Sequence, residues 1–236
     1  MKNTMRLDKV LGHSGHGSRK DIKALCKAGA VLVNGTACRD SSVQVDPAND
    51  EITVQGRPVC YARFHYVMMD KPAGVVSATR VPSARTVLDL LPPEYGGAGM
   101  FPVGRLDKDT TGLLLLTNDG TWAHRITSPK KHIDKIYEAA VDGAIPVDIQ
   151  ERFASGLILD DGMLCLPARA DTIGPQRLRI TVQEGKFHQV KRMCAAVGLT
   201  VLALRRLRIG NLGLDKGLQP GAVRVLTEQE RDLPFQ

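Results

Sequence analysis

At 236 residues the chain is long enough for one catalytic-sized core plus a small module, and too short for two large domains. Hydrophobic residues at 43% and charged residues at 24% exclude dominant disorder, and no window approaches the roughly 18 consecutive apolar residues of a membrane span. The formal charge of +7 is concentrated in two stretches: Lys2 to Arg39 has eight Lys or Arg against Asp8 and Asp21, and Arg177 to Arg208 has eight against Glu184. Two separate basic surfaces imply a polyanionic partner, with phosphates the commonest target.

The first predicted elements lie in "GSRKDIKALCKAGAVLVNG". Ser18 can cap a helix with Asp21 three residues on, Ile22, Leu25 and Cys26 mark its apolar face, and Gly29 supplies a left-handed stop. Val31 to Val33 then reads as a strand turning at Asn34-Gly35, and Val43, Val45, Ile52 and Val54 as two more short strands around "DPAND". Arg19, Lys20, Lys23 and Lys27 fall on the polar side of the helix, a row with phosphate-like spacing. Together the helix, hairpin and basic row resemble the small RNA-binding domain named for ribosomal protein S4. That places an RNA-binding domain at residues 1–58, a linker at 59–64 and a catalytic domain at 65–236.

From His65 the pattern changes. "YVMMDKPAGVVS" reads as two extended runs about a turn, "RTVLDLLP" as a short helix, and "TWAHRIT" as a helix following the turn Asn118-Asp119-Gly120. Strands are expected at "KIYEAAV", "LRITV" and "VLALRRLRI", and a helix at "HQVKRMCAAVG" ended by Gly198. Strands and helices without regular β-α alternation predict an α+β fold with a mixed, largely antiparallel sheet flanked by helices.

Within this region "GRLDKDTTGLLLLTNDG" places Asp107 just ahead of four leucines. A carboxylate there either caps a turn or sits at the mouth of a core, where a nucleophile is useful. The segment resembles the active-site motif of the pseudouridine synthases, in the branch that includes RsuA. The likeness continues in order through "KPAGVVS", "HRITSP", "KIYEAAV", "EGKFHQVKRMCAAVG" and "RRLRIG".

This resemblance implies an isomerase that detaches uracil at N1, rotates it and rejoins it through C5. Asp107 is then the essential carboxylate, acting on the sugar by attack or through a glycal. Lys191 is its basic partner, with Arg192 as the alternative and an RNA contact. Tyr137 stacks on the displaced base and moves a proton, and Arg105 fills or holds the space a flipped base leaves.

No cofactor or metal is expected, since isomerisation needs neither a redox centre nor a Lewis acid. His124, His188, Asp119 and Glu184 also lack metal-ligand spacing. Five cysteines, Cys26, Cys38, Cys60, Cys165 and Cys194, are odd in number and form no C-x-x-C pair, so reduced thiols in the cytoplasm are expected. The implied partner is ribosomal RNA or a small-subunit assembly intermediate, without a membrane, and the chain is expected to be a monomer. The favoured substrate is 16S ribosomal RNA. The alternatives are 23S ribosomal RNA and, from another class, a non-catalytic RNA-binding assembly factor.

Overall fold

The computed structural model describes residues 4–59 and 61–236, so Cys60 lies outside the described residues. The chain forms two compact units. One is the N-terminal chain to His65 together with Leu91–Met100; the other is Tyr66–Leu90 with Phe101–Gln236.

In the N-terminal unit the helix Arg19–Lys27 begins with a capping box. The Asp21 carboxylate accepts from the Ser18 N–H at 2.9 Å, and Ser18 Oγ accepts from the Asp21 N–H. Ile22 and Cys26 are fully buried against Leu7, Val10 and Leu11 of the preceding helix, Leu7–His13. Asn34 and Gly35, both at positive φ, turn Val31–Val33 back onto Thr36–Ala37. The two strands expected around "DPAND" do form, but in different sheets: Ile52–Val54 pairs with Val31–Val33, and Gln44–Val45 pairs with Met5–Arg6. Leu91–Met100 belongs to this unit through a close backbone approach, since a Cβ on Gly97 would lie 2.1 Å from the Gly12 carbonyl oxygen. A single cut in sequence does not describe that arrangement.

The larger unit is built on one sheet whose long path runs Arg169–Gly174, Arg177–Val182, Lys135–Asp142, Thr200–Ile209, Thr111–Thr117, Tyr66–Lys71, Val223–Val225. Its described pairings are antiparallel except that between Thr200–Ile209 and Thr111–Thr117, which is parallel, with Arg206 opposite Gly112. The sheet is thus mixed and mostly antiparallel, as expected. Leu113, Leu114, Leu115 and Leu116 are all fully buried, which is why this strand reads as an unbroken apolar run.

Helices Gly120–Thr127 and Gln189–Ala196 stand where the sequence suggests. The second extended run, "GVVS", makes only one bridge, Val76 with Thr86, and "RTVLDLLP" shortens to a 3-10 turn at Val87–Leu90. Local bonds explain both: Val76 N–H donates to Arg85, Val87 N–H donates back to Val76, and Asp89 caps Thr86. Among the described residues no helix is long and apolar enough to cross a membrane.

Candidate active site

The loop carrying Asp107 is held by its backbone on both sides. Ser77 Oγ donates to the Leu106 carbonyl at 2.8 Å and accepts from the Leu106 N–H at 3.0 Å. Lys71 is fully buried, and its Nζ lies 2.9–3.3 Å from the carbonyl oxygens of Pro72, Asp107, Lys108 and Thr110. Burial pushes this ammonium down to about 8, against the pull of Asp109 and Asp107. An ammonium has three protons to share, so Lys71 knots the loop to the end of strand Tyr66–Lys71. The Asp107 carboxylate is therefore presented by a fixed backbone while its side chain stays partly open to solvent.

Two nitrogen bases flank that carboxylate. Lys191 Nζ is 3.5 Å from Oδ2, and His188 Nε2 is 3.5 Å from Oδ1. Both come from the start of helix Gln189–Ala196, whose N-cap His188 sits at φ +49°. The short contacts of Lys191, 2.6 and 2.8 Å, go to Asp109, which the hydrogen bond holds below the usual carboxylate range. One cation thus serves two carboxylates and leaves Asp107 the looser partner. Arg192 takes no part here: its guanidinium is paired with Asp160 and Asp161 at 2.5 and 2.6 Å.

Tyr137 and Arg206 are cross-strand neighbours on Lys135–Asp142 and Thr200–Ile209, and both are buried. Arg206 Nε donates to the Leu113 carbonyl at 2.8 Å, and Nη1 donates to the Tyr137 hydroxyl at 3.4 Å. A guanidinium accepts nothing, so the phenol keeps its own proton to offer elsewhere. Lys135 Nζ donates to Ile133 and Gln183 carbonyls and is pushed down to about 8 by burial, with Arg206 adding to the effect. A cavity of about 380 Å³ is lined by Ser77, Arg105, Asp107, Tyr137, Phe187 and Arg206, with Arg105 exposed.

The structure thus gathers Asp107, Tyr137 and Arg105 around one cavity with Lys191 beside the carboxylate. The row Arg19, Lys20, Lys23 and Lys27 is exposed on its helix in the other unit. Lys71, Ser77, Asp109 and Arg206 are additions that sequence reading did not single out. Arg206 owes its direction to strand geometry, in which adjacent residues face opposite sides. Arg205 pairs with Asp70 at 2.7 Å, which turns its neighbour toward the cavity. Asp119 caps helix Gly120–Thr127 and accepts from the Tyr66 hydroxyl at 2.8 Å, Glu184 pairs with Lys186, and His124 is exposed. Among the described residues no group of three or more His, Cys, Asp or Glu is arranged to hold a metal ion.

A carboxylate flanked by Lys191 and His188 thus lines one cavity with a buried tyrosine. The chain belongs to the RNA pseudouridylate synthase family, whose model matches residues 65–196, while the S4 domain model matches residues 5–52. It is an RNA pseudouridine synthase, an isomerase, of the RsuA branch with an N-terminal S4 domain.

An uncharacterized RNA pseudouridine synthase of Bacillus subtilis strain 168 is 48% identical over 233 residues, covering 97% of this chain and 98% of that protein. The ribosomal small subunit pseudouridine synthase A of Escherichia coli K12 is 41% identical over 230 residues, covering 96% and 98%. A crystal structure of a pseudouridylate synthase superposes with a TM-score of 0.69 at 34% identity, covering 98% of this chain and 99% of that one.

Proposed function

We propose that the chain converts one uridine of 16S ribosomal RNA to pseudouridine, acting in the cytoplasm as a monomer on the RNA or on an assembly intermediate that carries it. The single observation supporting the chemistry is the Asp107 carboxylate on its clamped loop, 3.5 Å from Lys191 and sharing a cavity with Tyr137. The target reading rests on the near full-length similarity to the Escherichia coli enzyme.

In this mechanism the target uridine leaves the helix and enters the cavity, while Arg105 at its rim holds the vacated place. The C1′–N1 bond breaks with its electron pair leaving on the base. Asp107 either bonds C1′ or takes the C2′ proton, and Lys191 supplies the compensating positive charge. The uracil turns while stacked on Tyr137. Its C5 then bonds C1′ as the Asp107–C1′ bond breaks or, on the glycal route, as the Asp107 carboxyl returns its proton to C2′; the C5 hydrogen leaves as a proton through the tyrosine hydroxyl, and N1, which kept the electron pair, ends protonated.

Tyr137→Phe is expected to lower the single-turnover rate roughly 100-fold, the scale of a positioned proton-transfer group, while RNA affinity stays within about twofold. The ring survives and only the hydroxyl, held by Arg206, is removed. Normal turnover with a lowered melting temperature would make Tyr137 a packing residue instead.

The exposed row Arg19, Lys20, Lys23 and Lys27 is proposed to bind phosphates. Neutralising all four should flatten the salt dependence of binding by roughly 0.7 to 0.9 log units for each phosphate that is no longer neutralised, and leave single-turnover chemistry on saturating RNA nearly unchanged. Filter binding at several salt concentrations checks the slope. The whole chain is needed for this test, because removing the first 60 residues would strip Leu91–Met100 of its packing partner.

The target is tested by tritium release from transcripts labelled at uridine C5. Release from the 16S transcript alone is expected. Release from the 23S transcript alone would move the substrate to the large subunit.

A further inference from the structure

Phe187 has no evident structural purpose where it stands. It is 68% exposed on the turn that enters helix Gln189–Ala196, yet it lines the Asp107 cavity. One face of its ring is already used: it lies on the His188 imidazole with centroids 3.9 Å apart and planes 16° apart. His188 has a left-handed backbone, φ +49°, a conformation few non-glycine residues adopt. His188 in turn reaches 3.5 Å from the Asp107 carboxylate. A two-ring stack therefore starts beside the reacting group and ends on an open aromatic face.

The surroundings name the occupant. Arg105 and Lys108, both exposed, line the same cavity, whereas Lys186 on that lining is paired with Glu184 and Lys191 beside it with Asp109 and Asp107. A planar apolar face within a cationic rim matches a nucleotide: the π-face of the base covers the ring, and the phosphates on either side meet the cations. An extended apolar protein surface would meet these charges without compensation.

We propose that Phe187 is a stacking platform for an unpaired nucleobase next to the target uridine, holding the strand open while the uridine occupies the cavity. The proposal rests on Asp107 marking the reacting sugar. It adds an interaction that every base can make, so it contributes to substrate capture and not to the choice of sequence.

The test uses protein-free ribosomal RNA labelled at uridine C5, taken from cells lacking the chain, and follows tritium release by the full-length protein. Phe187→Ala should lower kcat/KM about five- to 150-fold, the range measured for removing one base–aromatic stack. Phe187→Leu should lose as much, because it keeps apolar volume but no π-face, whereas Phe187→Trp should stay within about threefold of wild type. The salt slope should not change, since no ionic interaction is removed. Being exposed, the position should leave the melting temperature unaltered.

Wild-type release in the same assay separates the two readings. If the wild type is inactive on this RNA, the comparison is repeated on a 16S assembly intermediate from the same cells; inactivity there as well means that the ribosomal target falls, and the variants are then compared on the RNA the wild type does modify. A Phe187→Ala variant within about twofold of wild type on the substrate the wild type modifies, or a Leu variant as active as the Trp variant, would overturn the stacking role.

Discussion

Asp107→Asn is expected to bind RNA normally, melt within about 2 °C of wild type and release tritium at least 10³-fold more slowly, an order-of-magnitude floor for losing a group that acts directly on the substrate. The fold should survive because the loop is fastened through backbone atoms: Lys71 binds the Asp107 carbonyl, and Ser77 binds Leu106. Charge balance should survive too. The short bonds of Lys191 go to Asp109, so removing the charge at residue 107 does not strand an unpaired ammonium. The amide has the shape of the carboxylate but neither its nucleophilicity nor its basicity. Single-turnover tritium release beside filter binding checks both halves, and near wild-type release from the Asn variant would remove Asp107 from the chemistry.

Gly112→Ala should cost about 3 kcal/mol or more and lower the melting temperature on the order of 10 °C, with activity falling in parallel. Gly112 has φ +99°, and a Cβ there would lie 2.2 Å from the Arg206 carbonyl oxygen and 2.9 Å from its nitrogen. Both of these neighbours are backbone atoms, so no side chain can swing aside. The clash falls on the parallel seam of the sheet, with Arg206 paired on one side of Gly112 and Lys71 on the other. Parting the strands therefore disturbs the group that holds the Tyr137 hydroxyl and the one that knots the Asp107 loop. Gly120→Ala is the control: no heavy atom lies within 4 Å of its Cβ position, and Ala is the better helix former. Thermal melts of the two variants should differ widely, and equal melting temperatures would refute the seam argument.

What could be read from sequence divides along the range of the interactions. The capping box at Ser18 and Asp21 and the Asn34-Gly35 turn each close over a few residues, so local chemistry determines them. The buried leucine strand was legible because a run covered on both faces needs no alternation. Asp107, Tyr137 and Lys191 were singled out as candidates only through resemblance, since an Asp, a strand Tyr and a helix Lys have ordinary structural uses.

The supports were not legible. Lys71 reaches carbonyls 36 to 39 residues away, and Arg206 reaches back 93 residues to Leu113 and 69 to Tyr137. Nothing local marks a lysine that will be buried among carbonyls. Similarly, the place of Leu91–Met100 with the N-terminal unit depends on the close meeting of Gly97 with Gly12, 85 positions earlier.

The central claim, that this chain isomerises a uridine of small-subunit ribosomal RNA through Asp107, is met most directly by mapping pseudouridine in 16S and 23S ribosomal RNA. The cells to compare lack the chain or carry it back as wild type or as Asp107→Asn. One pseudouridine should disappear from 16S ribosomal RNA in the deletion, return with the wild type and stay absent with the Asn variant. An unchanged 16S map, or a site restored by Asp107→Asn, would contradict the assignment.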